Sequence, residues 1–231
     1  MESLKNFLKD KLKKIRFIRY FVIKYKIFIF KYFGIKKGKN NKIINKGIMI
    51  NHKFNIIGNN NYIFIGRDAI FKNTLIFIRG NNHKLIIEDN CNYGGGYLWF
   101  EDNNCKIHIK QKTSIQSAEL SVCEPNSEIN IGSNCLFSGE IVFRTSDSHS
   151  IIDNSTEKRI NYAKNITVGE HVWIGSRATI LKGVSLANNS VIASNSIVTK
   201  SFYQNNIIIA GNPAKIIKEN INWNHDRTYD K

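Results

Sequence analysis

The sequence predicts an all-β fold, a parallel β-helix of hexapeptide repeats wound into a triangular prism, on two periodicities and one composition. From Val168 onward six consecutive hexads open on an aliphatic residue: Val168, Ile174, Ile180, Leu186, Ile192 and Val198. Their fifth places hold Val172, Ala178, Val184, Ser190, Ser196 and Phe202, of which five are small or β-branched. Upstream, hexads recur in groups that advance by 22 residues: Ile65, Phe71, Phe77; Ile87, Tyr93, Trp99; Ile109, Ile115, Ser121; Ile131, Phe137, Phe143. With 42% hydrophobic residues, 15 Gly, 2 Pro and 4 Cys in 231 residues, the chain can bury a core and is neither collagen-like, disordered nor disulfide-stapled.

A period of six fits neither an α-helix nor simple strand alternation. It does fit three short strands joined by corners, with coils stacked about 4.8 Å apart so that each strand pairs with the coils above and below. The first residue of each hexad then points to the axis, and the fifth lies against a corner. Twenty-two residues are three hexads plus four, and the extra four fall at Asn59/Asn60, Asn81/Asn82, Asn103/Asn104 and Pro125/Asn126. Asn suits such corners because it tolerates left-handed backbone. Cys91, Thr113 and Cys135 share a fifth place, so packing accounts for these cysteines better than chemistry does. No C-x-x-C pair and no export signal is present, which predicts reduced thiols and no metal site.

The interval from Ile131 to Val168 is 37 residues and predicts a loop at about 150–165 within a β-helix spanning 43–203. Residues 204–231 are expected to form a C-terminal segment with a short helix opened by Pro213. Residues 1–42 hold 14 Lys/Arg against 2 Asp/Glu, so +12 of the +16 net charge lies there and +4 in the rest. This extension steps its apolar residues by three or four and is expected to be an amphipathic helix. Its apolar face has two candidate partners, an anionic membrane surface through residues 1–34 or the rest of the protein. The nearly balanced body argues against a nucleic-acid binder. A cytoplasmic protein, peripheral to the inner membrane face, is the expected location.

The hexads, the Val172-Trp173-Ile174-Gly175 segment and Gly211-Asn212-Pro213-Ala214-Lys215 resemble the hexapeptide-repeat acyltransferases. That resemblance implies a left-handed parallel β-helix, an exception to the usual right-handed crossover. The segment from Arg144 through His149 to Asp153 further resembles bacterial O-acetyltransferases of surface sugars, including those of polysialic acid capsules. In those enzymes a His precedes the tryptophan of Val-Trp-Ile-Gly by 24 residues, the interval between His149 and Trp173.

Moving an acetyl group from acetyl-CoA to a sugar hydroxyl needs a base, because an alcohol is a poor nucleophile at neutral pH. The resemblance makes His149 that base and leaves Asp147 or Glu170 to orient it. Trp173, through its indole N–H, is the expected donor to the developing oxyanion. Ser176, Thr199 and Lys200 match the family's cofactor-binding positions; Ser194 stands where many relatives have Ala and would act through its backbone, and Lys215 and Lys218 stand where the family often has Arg, as less directional phosphate ligands. No metal is implied. A prism has flat faces and no cleft of its own, so a homotrimer with sites between subunits is expected, its acceptor a glycan, sialic acid among the candidates. The alternatives are N-acylation of a nucleotide-linked amino sugar and a non-catalytic glycan- or surface-binding β-helix.

Overall fold

In the computed structural model, which describes residues 34–229, every coil lays down three strands in turn, and each strand joins one of three parallel sheets. Face A has eight strands, from Ile35–Lys37 to Ile197–Val198. Face B has seven, from Lys42–Asn45 to Ser185–Leu186. Face C has nine, from Ile48–Ile50 to a final hairpin of Ile208–Gly211 and Ala214–Lys218. The coil runs from B to C to A, so the prism has a B/C, a C/A and an A/B corner.

Side chains alternate across each strand, and one set fills the axis. Ile65, Phe71, Ile87, Tyr93, Ile109, Ile115, Ile131, Phe137 and Phe143 are all buried, as their hexad phase predicts. Aromatic rings stack from coil to coil within the column, Phe71 on Tyr93 with centroids 4.8 Å apart. The six fifth-place residues from Val172 to Phe202 are buried too. Cys91, Thr113 and Cys135 stack in the core, and Thr113 Oγ1 accepts the Cys135 N–H at 3.1 Å. Burial pushes the Cys91 and Cys135 thiols up to about 11, and all four cysteines are free.

Phe77, Trp99 and Ser121 depart from the predicted frame. The inward residues of their strands are Ile76 and Ile78, Leu98 and Phe100, Leu120 and Val122. The extra residues of the 22-residue coils lengthen the strands flanking the A/B corner, to five in Gly96–Phe100 and four in Lys106–Ile109, and this shifts the phase of face A by one. Phe143 returns to the axis because Leu120 pairs with Phe143, a step of 23 rather than 22.

The A/B corner is an asparagine ladder. Asn59, Asn81 and Asn103 each accept, through Oδ1, a backbone N–H of the coil below, at 2.7–3.0 Å. Asn60, Asn82, Asn104 and Asn126 have φ between 58° and 66°, the left-handed conformation expected of them. Gly80 lies at the same corner with φ 126°, and a Cβ there would stand 1.6 Å from the Asp102 carbonyl oxygen. His83, a buried corner residue, continues a second ladder, its backbone N–H bonded to Asn61 and its Nδ1 accepting the Cys105 N–H. Burial lowers its pKa and keeps it neutral.

Three expectations are corrected. The β-helix begins at Ile35 rather than at 43, since Ile35–Lys37 and Lys42–Asn45 pair with the next coil. No helix follows Pro213: the Asn212–Pro213 peptide is cis, and Ala214–Lys218 turns back as an antiparallel strand on Ile208–Gly211. Of the expected amphipathic helix over 1–42, residues 35–37 and 42 are instead strand; residues 1–33, with nearly all of the membrane contact expected through 1–34, lie outside the described residues. Among the described residues no helix is long and apolar enough to cross a membrane.

Candidate active site

The strand Ile141–Arg144 completes its coil on face A, and the chain leaves the coil through residues 145–165 before Ile166–Val168 resumes face B. The excursion therefore projects from the A/B corner. His149 sits near its start, exposed, just after Ser148, whose φ of 65° is a conformation that non-glycine residues rarely adopt.

Asn161 fixes this segment. Its Nδ2 donates to the His149 carbonyl at 2.8 Å and to Asp147 Oδ2 at 2.9 Å. Its Oδ1 accepts the Ile151 N–H at 2.7 Å and Arg159 Nε at 3.2 Å. Lys182, from the next coil, pairs with Asp147 and donates to the Asn161 carbonyl. The Lys182 ammonium, then the Asn161 amide, hold the Asp147 carboxyl below its ordinary value against partial burial. Beneath them Glu124 accepts Arg159 at 2.5 Å, Ser146 Oγ at 2.6 Å and the Ala163 N–H at 3.2 Å. Burial pushes the Glu124 carboxyl up, yet these donors outweigh it and leave the group below the usual range. At the tip Asp153 caps a turn at Ser155 and Thr156, and those hydroxyl and backbone donors depress it to about 2.

Asp147 is thus committed to Lys182 and Asn161 rather than to the His149 ring. Glu170 lies between Val168 and Trp173, at the B/C corner, away from the loop. Among the described residues neither carboxylate bonds the imidazole.

Trp173 is on face C, 38% exposed. Its outward column continues through Val191 and Ile208 to Lys218. Lys215 pairs with Ala210, which shares a side with Ile208, so Lys215 and Lys218 face one way. The bulge between Ile208 and Ile209 restores this common side, which two residues three apart on a regular strand would lose. Ser176 and Ser194 are exposed one coil apart at the C/A corner, where Gln116, Glu140, Ser176, Arg177 and Asn195 line a hollow of about 210 Å³. Thr199 and Lys200 follow Ile197–Val198 at the A/B corner, on the His149 side. Trp223 closes the B/C corner: its ring stacks on His171 at 4.2 Å, donates to the His171 carbonyl, and stands 6.1 Å from Trp173.

The predicted residues therefore form two groups. His149, Thr199 and Lys200 occupy the A/B corner; Trp173, Ser176, Ser194, Lys215 and Lys218 occupy face C and the C/A corner. In a triangular prism the A/B corner is opposite face C, so one chain does not bring the groups together. The loop also carries Ile151, Ile152, Ile160 and Tyr162, each at least half exposed.

The clamp of Glu124, Asn161, Arg159 and Lys182 escapes periodicity. One trace exists in the sequence: at steps of 22, Gly58 and Gly80 give way to Asp102 and Glu124, so the column turns acidic in the two coils beneath the loop. Among the described residues no His/Cys/Asp/Glu group is arranged to hold a metal.

The family described as bacterial transferase hexapeptide (six repeats) matches residues 165–200. A polysialic acid O-acetyltransferase of Neisseria meningitidis is 36% identical over 179 residues, 76% of this chain and 82% of that protein. One of Escherichia coli O1:K1 is 42% identical over 118 residues, 51% of this chain and 38% of that protein. The crystal structure of the polysialic acid O-acetyltransferase OatWY superposes with a TM-score of 0.82 at 34% identity, covering 87% of this chain and 95% of that one.

Proposed function

The chain belongs to the hexapeptide-repeat acyltransferases and is a sugar O-acetyltransferase with their left-handed parallel β-helix, and from that premise we propose that it works as a homotrimer whose sites lie between subunits. The observation that carries the proposal is the separation of the site residues onto opposite sides of the prism. A threefold arrangement sets the A/B corner of one chain against face C of the next, which reunites the groups. The exposed apolar side chains of the loop favour such a contact, since apolar surface of this kind marks interfaces.

Acetyl-CoA supplies the activated acetyl group. His149, at the loop base, accepts the proton of the attacking sugar hydroxyl and passes it on to the leaving thiolate. Trp173 of the neighbouring subunit directs its indole N–H at the carbonyl oxygen as that atom gains charge. Ser176 and Ser194, along the C/A corner, hold the pantetheine arm through their backbone. Lys215 and Lys218 on one side, with Thr199 and Lys200 from the other subunit, take the phosphates as point charges. The hollow beside Ser176 and the common side of Lys215 and Lys218 fit a long, narrow donor with an anionic end.

The acceptor is a hydroxyl of a surface polysaccharide or its precursor, with sialic acid the first candidate from the relatives' names. Those names, both of O-acetyltransferases, weigh against N-acylation of an amino sugar. The test is acetyl-CoA turnover, read as free thiol, against sialic acid, hexoses and oligosaccharides, with His149→Ala alongside. Loss of acceptor-dependent release in the variant is expected, and unchanged release would remove His149 as the base. Light scattering should give three times the 26.6 kDa chain mass; a fully active monomer would exclude the shared site.

A further inference from the structure

Face A carries a feature that neither the donor residues nor the proton-transfer residues use. Its outward side chains stand in register, and one column reads Asn55, Phe77, Trp99, Ser121, Arg144. Phe77 and Trp99 stack with centroids 3.9 Å apart and planes 17° from parallel. The stack stops at the next coil. Ser121 is too small to cover the second face of the Trp99 indole, and the space up to Arg144 is a groove of about 220 Å³. Glu101, Glu119 and Ser148 also line it, and Ser148 immediately precedes His149.

Two coil steps of about 4.8 Å separate Trp99 from Arg144, enough for one ring laid between them. The volume is below the roughly 300–1,000 Å³ of pockets for larger ligands, which again suits a single ring. The Arg144 guanidinium stands 3.7 Å from Glu119 Oε1, an ion pair too long for a hydrogen bond, and that oxygen accepts the Ser121 hydroxyl at 3.3 Å, so the guanidinium donors and the second carboxylate oxygen retain capacity for a ligand. An indole face takes the C–H face of a pyranose; carboxylates accept from hydroxyls, and a guanidinium donates to them. Glu101 and Glu119 against the single Arg144 leave the groove net negative, which disfavours a sugar carrying its own carboxylate. All the residues assigned to the donor lie in the same coil as the loop's return or beyond it, whereas Trp99 and Ser121 lie in the coils before it. Donor and acceptor would then approach His149 from opposite ends of the prism.

We propose that this groove is an acceptor subsite for an uncharged pyranose, stacked on Trp99 in the space above Ser121 and adjoining the sugar whose hydroxyl reaches His149. The acceptor is then an oligosaccharide or polymer containing an uncharged residue, not a single sugar. This rests on the acetyltransferase reading of His149, so the test reads binding apart from turnover. Full-length protein, without donor, is titrated calorimetrically with neutral hexose tetrasaccharides and with sialic acid tetrasaccharides. Trp99→Ala removes the platform, and Ser121→Phe fills the space by extending the stack. The neutral glycans should bind, with at least about tenfold weaker affinity in both variants, while Ser121→Phe melts no lower than the parent. Equal binding by parent and variants, no binding of neutral glycans, or Trp99-dependent preference for the sialic acid oligomer would overturn the proposal. Trp99-dependent binding without thiol release from any acceptor would instead leave the subsite standing and count against the acetyl-transfer reading of the site.

Discussion

Before the His149 loop, after a first coil of 20, a coil on face B takes 22 residues, as from Tyr62 to Lys84; after the loop a coil takes 18, as from Thr167 to Ser185. The long coils have face A strands of five or six residues, asparagine corners and outward aromatic side chains. The short coils have two-residue strands on face A and small corner residues such as Ala178 and Ser196. Both bury the same kind of column. The difference is what remains for the exterior: the long coils can build side-chain columns and a groove, whereas the short ones present two-residue strands and small corner side chains. The His149 loop stands where one regime gives way to the other.

The largest effect should come from the junction itself. His149→Ala is expected to lower turnover by about 10²–10⁴-fold, the usual range for a general base, with the melting temperature unchanged because the ring is exposed. Next comes Trp173 in the short coils. Trp173→Phe keeps a ring but loses the N–H, and kcat should fall by about 10²-fold with little change in KM if that donor serves the transition state. An equal loss in Tyr97→Phe, an exposed aromatic of the long coils, would erase the contrast.

Asn161→Ala should reduce kcat by about tenfold or more and raise hydrogen exchange across 146–164 without unfolding the prism, since its bonds lie in the loop. The clamp also fixes a pH dependence. Glu124 and Asp147 both have lowered pKa values, so their contribution is complete above the ordinary carboxylate range and is lost as pH falls through the lowered values. Loop exchange should therefore stay slow at neutral pH and accelerate only below about pH 4. Glu124→Gln should accelerate it at neutral pH already. The smallest effect is expected at the asparagine corner: Asn81→Ala removes bonds to exposed groups and should cost about 1 kcal/mol by denaturant titration, with turnover preserved.

The short coils were legible in the sequence almost residue by residue, because with two-residue strands each hexad has only one place for an axial side chain. In the long coils the same frame failed for Phe77, Trp99 and Ser121. Once strands reach five residues, two or three side chains point inward, and phase depends on where each strand starts rather than on hexad count. That failure concealed the groove, since Ser121 taken as an axial residue leaves no gap outside. His149 and Trp173 stand out through a motif interval, whereas the Asn161 clamp depends on contacts between residues 2 to 39 positions apart and shares no common interval. Pro213 can open a helix or follow a turn into a strand, so the residues around it do not distinguish the hairpin strand Ala214–Lys218 from a helix.

In the proposed trimer each site is shared, with His149 from the A/B corner of one chain and Trp173 from face C of the next. Co-expression of His149→Ala and Trp173→Ala chains measures that sharing. Random trimers should pair intact His149 with intact Trp173 at about a quarter of their sites and recover activity in that proportion, although each parent variant is nearly inactive. Activity no greater than the sum of the two parents would contradict a site between subunits.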